Sequence, residues 1–171
     1  MTRDPASRVT SLRFTDDLDM EQKADFLGRV ELFKQPQRDT LVKLASRVYL
    51  ISLPQGHALK ENEPSEGLFI IKSGRVQITK SAGAAEAHVE LANLQQGSVF
   101  GEIGLIDGLP RTATITALEP TDCYFLPRPV FLPASQESPE IALGLLPVLA
   151  AMVRNADQIA QTLLSMLMKA K

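Results

Sequence analysis

The sequence has one cysteine, two histidines and no tryptophan in 171 residues. A single thiol, Cys123, cannot form an intrachain disulfide, and a reducing compartment follows, so we expect a cytoplasmic protein. His57 and His88 are far apart and have no cysteine or acid partner at ligand spacing, so the sequence predicts no metal site. No arrangement of nucleophile, histidine and acid stands out, and we therefore do not expect an enzyme.

The sequence also lacks an excess of charge of one sign and an unbroken hydrophobic run. Its 18 basic and 20 acidic residues give a formal net charge of -2, which offers no general attraction to nucleic acid or to an anionic membrane. The first seventeen residues carry charges throughout, so we expect no signal peptide. The apolar C-terminal run is interrupted by Pro147, Arg154, Asn155 and Asp157, which argues against a membrane span.

What remains is an ordinary globular composition, 44% hydrophobic and 22% charged, in a chain long enough for one sizeable core. Residues 1–17 are polar and show no period, so they are predicted to be a flexible segment. Residues 18–171 are expected to form a single domain. Its parts are helices within 19–47, a barrel over 48–128 and C-terminal helices over 139–169.

The middle of the chain has the short period of β-structure. Segments rich in Val, Ile, Thr, Tyr and Phe are separated by Gly, Pro, Asn and Ser; they are VYLISL, ALKEN, LFIIKSG, RVQITKS, AHVELANL, TATITALE and DCYFLP. Such spacing is typical of a small sandwich or a jelly-roll barrel. On the N-terminal side, helices are predicted from Asp19 to Gly28 and from Gln37 to Arg47. The predicted fold class is mainly β with flanking helices.

The most informative stretch is FGEIGLIDGLPR, residues 100–111. Gly101 allows a sharp turn and close approach, and a short helix predicted to start at Glu102 would present free amide groups. Pro110 fixes the backbone before Arg111, whose planar guanidinium suits a phosphate. A phosphate would repel Glu102 unless the ligand also carried hydroxyl donors, as a ribose does. The pattern therefore indicates a nucleotide monophosphate.

A structural alternative is that Glu102 and Arg111 form an ion pair at the rim of the barrel, as isolated acids and arginines commonly do. That alternative does not account for Gly101, Pro110 and the small Ala113. We therefore prefer the interpretation in which the two charged residues bind a ligand.

The same residues resemble the phosphate-binding cassette of the cyclic nucleotide-binding domain family. That cassette reads F-G-E-(L/I)-(A/G)-L, a short variable insert, then (P)-R-(S/T/A)-A; this chain has Phe100–Leu105, an insert, and Pro110–Ala113. GLFIIKSGRVQI, residues 67–78, resembles the family's hairpin, and SPEIALGLLPVLAAMV resembles the helix that follows the barrel. The resemblance covers roughly residues 30–165.

The resemblance implies a jelly-roll barrel that binds a cyclic nucleotide, cAMP ahead of cGMP. It implies that Glu102 binds the ribose 2′-hydroxyl and that Arg111 binds the phosphate, helped by backbone amides around Ile103. Leu91 and Ile78 occupy positions where the family has apolar pocket residues, and the Thr112 hydroxyl occupies a position that reaches a syn purine. Taken alone, Leu91 and Ile78 are more typical of ordinary core residues, and Thr112 is equally typical of a strand residue. The implied ligand-binding set is Gly101, Glu102, Ile103, Gly104, Arg111, Thr112, Ala113, Leu91 and Ile78.

The C-terminal helix carries two apolar stripes, and the barrel cannot cover both along the full length. A seam with heptad spacing contains Leu145, Leu149, Met152, Ala156, Ile159, Leu163 and Met166. The second stripe contains Leu146, Val153, Ala160, Leu164 and Leu167. We predict a homodimer through the seam, as in catabolite activator-type proteins, and the alternative is a helix that only packs on the barrel. A proline is tolerated only in a first turn, so Pro147 predicts a short helix over 139–146 and a long helix from there to about Met168.

The function expected from these features is a cyclic nucleotide receptor that signals through its C-terminal helices to an unidentified protein effector. No DNA-reading element follows the long helix in this chain, so we expect no DNA binding. The polar residues that reach the base in activators are replaced by Met152 and Ala156, so the base contact is either apolar or made by Arg154 or Asn155. Two alternatives are an interaction domain that has lost its ligand and the regulatory domain of a larger channel or kinase.

Overall fold

The computed structural model describes residues 13–15, 19–83 and 87–169. Of the predicted flexible segment, 1–12 and 16–17 lie outside the described residues. The prediction is wrong at Arg13–Thr15, which forms a strand, β1, paired antiparallel with the next strand along the chain. With three residues, this edge strand is too short to show the alternation of apolar and polar residues that indicates a strand.

Within the described residues, nine strands form two antiparallel sheets. After β1 the strands are β2 Tyr49–Leu53, β3 Ala58–Leu59, β4 Gly67–Ser73, β5 Arg75–Ser81, β6 His88–Gln95, β7 Val99–Phe100, β8 Thr114–Ala117 and β9 Thr121–Pro127. The first sheet has the order β1-β2-β9-β4-β7 and the second has the order β3-β8-β5-β6. The predicted fold class, a β-barrel with flanking helices, is confirmed.

Helices lie before, within and after the barrel. They are α1 Met20–Leu27, α2 Arg38–Ala45, α3 Glu102–Asp107, α4 Arg128–Glu137, α5 Pro139–Leu143 and α6 Leu145–Lys169, with a 3₁₀ helix at Glu31–Phe33. Asp19 accepts a hydrogen bond from the Glu21 amide and so caps α1. Helix α4 was not predicted, because Pro129 and Pro133 in RPVFLPASQE interrupt any helical pattern.

The first sheet is buried on both faces because its strands are apolar at consecutive positions. On β4, Leu68 and Ile70 pack against the flanking helices, whereas Phe69 and Ile71 face the second sheet. The second sheet is more open, and β6 has no fully buried residue. One side of the barrel interior is therefore only partly filled, and the cassette lies at that side.

The break between α5 and α6 falls at Gly144, and α6 begins at Leu145, two residues before Pro147, where the sequence predicted its start. A Cβ at Gly144 would overlap the carbonyl oxygen of Leu32 in the 3₁₀ helix, so only glycine fits where the two elements touch. Pro147 is the third residue of α6, inside its first turn, where its missing amide costs little.

Candidate functional site

The cassette begins at a glycine that no other residue could replace without strain. Gly101 has φ 86° and precedes α3, and a Cβ there would lie 2.6 Å from the Gly67 carbonyl oxygen of β4. Helix α3 ends at Gly108, which also has positive φ. The two glycines bound α3 as a short helix that packs against β4, and Glu102 is its first residue.

Glu102 is buried without a partner for one of its oxygens. The residue is 7% exposed, and its Oε2 accepts no hydrogen bond from any group in the described part of the chain. Burial raises the pKa of the carboxyl group above its ordinary value, and its own backbone amide offsets this only in part. An unsatisfied buried acceptor of this kind costs about 1–3 kcal/mol, so the position is unfavourable to folding on its own.

Arg111 is held by the loop between β3 and β4. Its amide donates to the Glu63 carbonyl at 2.9 Å, and its Nη1 donates to the Pro64 carbonyl at 2.6 Å. The guanidinium lies 6.0 Å from the centre of the Phe69 ring. Burial lowers the pKa of Arg111, while Glu63 and Glu66 act in the opposite direction.

Glu102 and Arg111 do not form the ion pair that the structural alternative required. Among the described residues, Arg111 makes no ion pair and Glu102 Oε2 has no hydrogen-bond donor. The arginine hydrogen-bonds to a backbone carbonyl, and Glu63 and Glu66 act on its charge without forming an ion pair in the described chain. One acid and one arginine are thus both available to a ligand.

Both residues line a cavity of about 620 Å³ between the second sheet, the cassette and α6. This volume lies in the range of small-molecule sites. All nine residues of the sequence-predicted set contribute to its lining: Gly101, Glu102, Ile103, Gly104, Arg111, Thr112, Ala113, Leu91 and Ile78. The charged pair is at the cassette end, and the rest of the wall is mostly apolar, with Leu94 and Ile115 beside Ile78.

Helix α6 closes one side of the cavity with residues from its first four turns. They are Pro147, Val148, Ala151, Met152, Asn155, Ala156 and Ile159. The Asn155 side-chain amide donates to the Leu91 carbonyl of β6 at 2.9 Å, which ties the helix to the second sheet. Of the two polar candidates for a base contact, Asn155 therefore lines the cavity, whereas Arg154 is not part of its wall.

Among the polar residues of the cavity wall that sequence reasoning missed are Ser65 and Lys80. Ser65 lies against Gly104, and its buried Oγ has no partner among the described residues. Lys80 donates to the Thr112 carbonyl at 2.6 Å and to Glu61 at 3.2 Å, so it ties β5 to the end of the cassette. Neither residue is near the cassette in sequence, and no local motif could have indicated them.

The two stripes of α6 have different surroundings from those predicted. The first half of the heptad seam faces the barrel: Leu145 is buried, and Met152 and Ile159 are partly buried at the cavity. The second stripe is the exposed one, with Val153 at 61% and Leu164 at 60%. The barrel covers the first half of the seam, whereas Leu163 and Met166 in its second half are exposed. An apolar face therefore remains on the opposite side and at the end of α6.

By length and composition alone, the helical region Pro139–Lys169 could also cross a membrane. Such a single helix is weak evidence, and its first half is engaged with the cavity. Among the described residues, no group of three or more His, Cys, Asp or Glu side chains could hold a metal ion.

Comparison with known proteins gives a consistent result. The sequence model of the family described as cyclic nucleotide-binding domain matches residues 52–138. The chain is 28% identical over 134 residues to a CRP-like cAMP-activated global transcriptional regulator of Mycobacterium tuberculosis, covering 78% of this chain and 59% of the regulator. It is 28% identical over 114 residues to the cGMP-dependent protein kinase egl-4 of Caenorhabditis elegans, covering 66% of this chain and 13% of the kinase. The chain thus spans only part of both curated relatives.

Solved structures show the same architecture. A cyclic nucleotide-binding domain from Methylobacillus flagellatus superposes with a TM-score of 0.78 at 23% identity, covering 95% of this chain and 97% of the other. The Thermus thermophilus catabolite activator protein superposes with a TM-score of 0.70 at 27% identity, covering 78% of this chain and 62% of the other.

Proposed function

This chain belongs to the cyclic nucleotide-binding domain family, and on that basis we propose that it is a receptor for a purine 3′,5′-cyclic nucleotide, cAMP ahead of cGMP. The nucleotide occupies the cavity between the second sheet and α6. Glu102 accepts the ribose 2′-hydroxyl, and Arg111 binds the cyclic phosphate. No enzymatic step is part of this function, because binding alone uses both charged residues.

The observation that carries the proposal is that one cavity holds an acid and an arginine that do not pair with each other. Glu102 is 7% exposed with an oxygen that accepts no hydrogen bond, and Arg111 makes no ion pair in the described chain. A ribose hydroxyl and a phosphate would satisfy both at once, each through a charge-assisted hydrogen bond. A domain that had lost its ligand would keep the cost of the buried carboxyl group with nothing to offset it.

The choice of cAMP over cGMP is supported by the polar group that α6 places in the cavity wall. Because the Asn155 amide nitrogen donates to Leu91, its Oδ1 is the atom left to accept a hydrogen bond. An acceptor suits the C6 amine of adenine better than the C6 carbonyl of guanine, but guanine's N1–H and C2 amine are donors too, so this preference applies to the C6 edge of the base. The relatives' names include both nucleotides, so cGMP is the second candidate.

Signalling to a partner would use α6, since the same helix lines the cavity and extends past it. A ligand can shift α6 only by making different contacts in two states of the helix. Hydrogen exchange should then show added protection in residues 145–160 when nucleotide binds, and protection restricted to the cassette would contradict the coupling.

We further propose that the protein is cytoplasmic and that two chains associate through the exposed stripe of α6, where Leu146, Val153 and Leu164 are each about 60% exposed.

The experiment that tests the proposal is a calorimetric titration of the protein with cAMP, cGMP and adenosine 5′-monophosphate. We expect saturable binding of cAMP, weaker binding of cGMP and much weaker binding of the monophosphate. The variant Glu140→Gln, on α5 outside the cavity, serves as a control with unchanged affinity. Absence of binding by both cyclic nucleotides at millimolar concentration would overturn the proposal.

A further inference from the structure

The C-terminal end of the cassette helix α3 is held by a side chain from outside the cassette. Arg128, the first residue of α4, donates from Nε to the Leu105 carbonyl at 2.9 Å and from Nη2 to the Ile106 carbonyl at 3.3 Å. The last carbonyls of a helix have no partner within it, and the helix dipole favours a cation beside them. Arg128 therefore caps α3 from a different helix.

Gly108 leaves room for this cap. It follows α3 with φ 71°, where other residues are strained, and a Cβ there would lie 3.2 Å from Arg128 Cζ, closer than an ordinary van der Waals contact. The guanidinium thus lies directly against the turn that ends α3. Its planar fork offers two nitrogens to two successive carbonyls, which the single ammonium group of a lysine could not do.

Both ends of α3 are fixed to the start of β4. At the N-terminal end, Gly101 lies against the Gly67 carbonyl. At the C-terminal end, the Arg128 amide donates to the Glu66 carbonyl at 2.9 Å, one residue before Gly67. Because α3 has only six residues, it is too short to be stable on its own. Its orientation therefore depends on these contacts and on the burial of Leu105.

We propose that Arg128 is a positioning residue of the nucleotide site, which fixes α3 and thereby holds Glu102 where the ribose 2′-hydroxyl binds. This inference rests on the proposed function. Arg128 is not among the described residues that line the cavity, so it acts through α3 and not on the ligand. Arg111 is held separately, by the Pro64 carbonyl. Loss of Arg128 should therefore weaken the ribose contact more than the contact between Arg111 and the phosphate.

The test compares Arg128→Gln and Arg128→Lys with the parent in calorimetric titrations of cAMP and 2′-deoxy-cAMP. The analogue lacks the hydroxyl that Glu102 would accept, so the ratio of the two affinities isolates the ribose contact. The control Arg38→Gln removes an arginine that joins α2 to α1 through Glu21 and Asp25, away from the cavity wall. Urea denaturation shows whether each variant folds and how far its stability falls.

In the parent, we expect cAMP to bind about tenfold or more tightly than the analogue, because the 2′-hydroxyl would donate to a charged group. Arg128→Gln should reduce this preference by about three- to tenfold as α3 loses its fixed orientation. Arg128→Lys should reduce it by less, since lysine keeps the charge and one donating nitrogen. Arg38→Gln should leave the preference unchanged, even where it lowers stability.

Equal losses of affinity for the two ligands in Arg128→Gln would overturn the inference, because Arg128 would then only stabilise the fold. Unchanged affinities would overturn it as well. If Arg128→Gln does not fold, the same criteria apply to Arg128→Lys. A parent that binds no cyclic nucleotide, or binds cAMP no more tightly than the analogue, would contradict the proposed function, and the inference would fail with it. Failure of the inference alone would appear only in the variants.

Discussion

Replacing Gly101 with alanine should destabilise the ligand-free protein more than the same change at Gly97. The two glycines have almost identical φ values, 86° and 85°, so each alanine would carry a similar left-handed strain, about 1–3 kcal/mol. A Cβ at Gly97 meets nothing within 4 Å, whereas a Cβ at Gly101 lies 2.6 Å from the Gly67 carbonyl oxygen. That contact involves two backbones, and forced overpacking costs about 1–3 kcal/mol more.

Urea denaturation of the parent and the two variants, extrapolated linearly to water, measures both terms. We expect Gly101→Ala to lower the free energy of unfolding by about 1–3 kcal/mol more than Gly97→Ala does. The comparison cancels the shared backbone strain and isolates the close approach of α3 to β4. Equal losses in the two variants would refute the argument that this approach requires glycine.

Three further predictions follow from the site and from α6. Without ligand, the variant Glu102→Gln should gain stability relative to the parent as pH rises from 4 to 8. Burial raises the folded-state pKa of Glu102, so the favourable contribution of the protonated carboxyl group is complete below the ordinary glutamate pKa and is lost as pH rises through the raised value. A difference in unfolding free energy that stays constant across this pH range would contradict this. Arg111→Ala should weaken cAMP binding by about 1.5–3 kcal/mol, the range for a hydrogen bond to a charged group, as measured by calorimetry with Arg111→Lys as the charge-preserving control, and unchanged affinity would remove the phosphate assignment. Val153→Glu with Leu164→Glu should convert a dimer into a folded monomer in light scattering, and a parent that is already monomeric at tens of micromolar would exclude the dimer.

Most of the barrel could be predicted from the sequence because its signals are local. Strands such as LFIIKSG and RVQITKS have β-branched and aromatic residues bounded by glycine, and the structure places β4 and β5 within one residue of them. The two-residue strand Val99–Phe100 was not predicted, because two residues are too few to show the alternation of apolar and polar residues that indicates a strand. Its existence depends on pairing with β4, which is a property of the assembled sheet.

The candidate site likewise has residues that a local sequence motif identifies and residues that only the folded structure brings in. The cassette residues from Gly101 to Ala113 are contiguous, so a motif identifies them. Ser65 comes from a loop more than thirty residues earlier in the chain, and Lys80 from β5; both enter the cavity wall only because the sheets fold over the cassette. The dimer seam of α6 could not be assigned from the sequence, because helical spacing identifies apolar stripes but does not show which stripe the barrel covers.

The contact between Gly144 and the Leu32 carbonyl holds the N-terminal end of α6 in place, so that end is the pivot about which the helix can rotate. The helix has 25 residues, so it extends about 37 Å from that contact. The cavity touches only the part nearest the pivot, up to Ile159. A rotation of about 10° at the pivot would move the far end by about 6 Å, more than one helical turn. An adjustment of about 1 Å near Val148 that also released the hydrogen bond from Asn155 to Leu91 would therefore become a displacement large enough for another protein surface to detect.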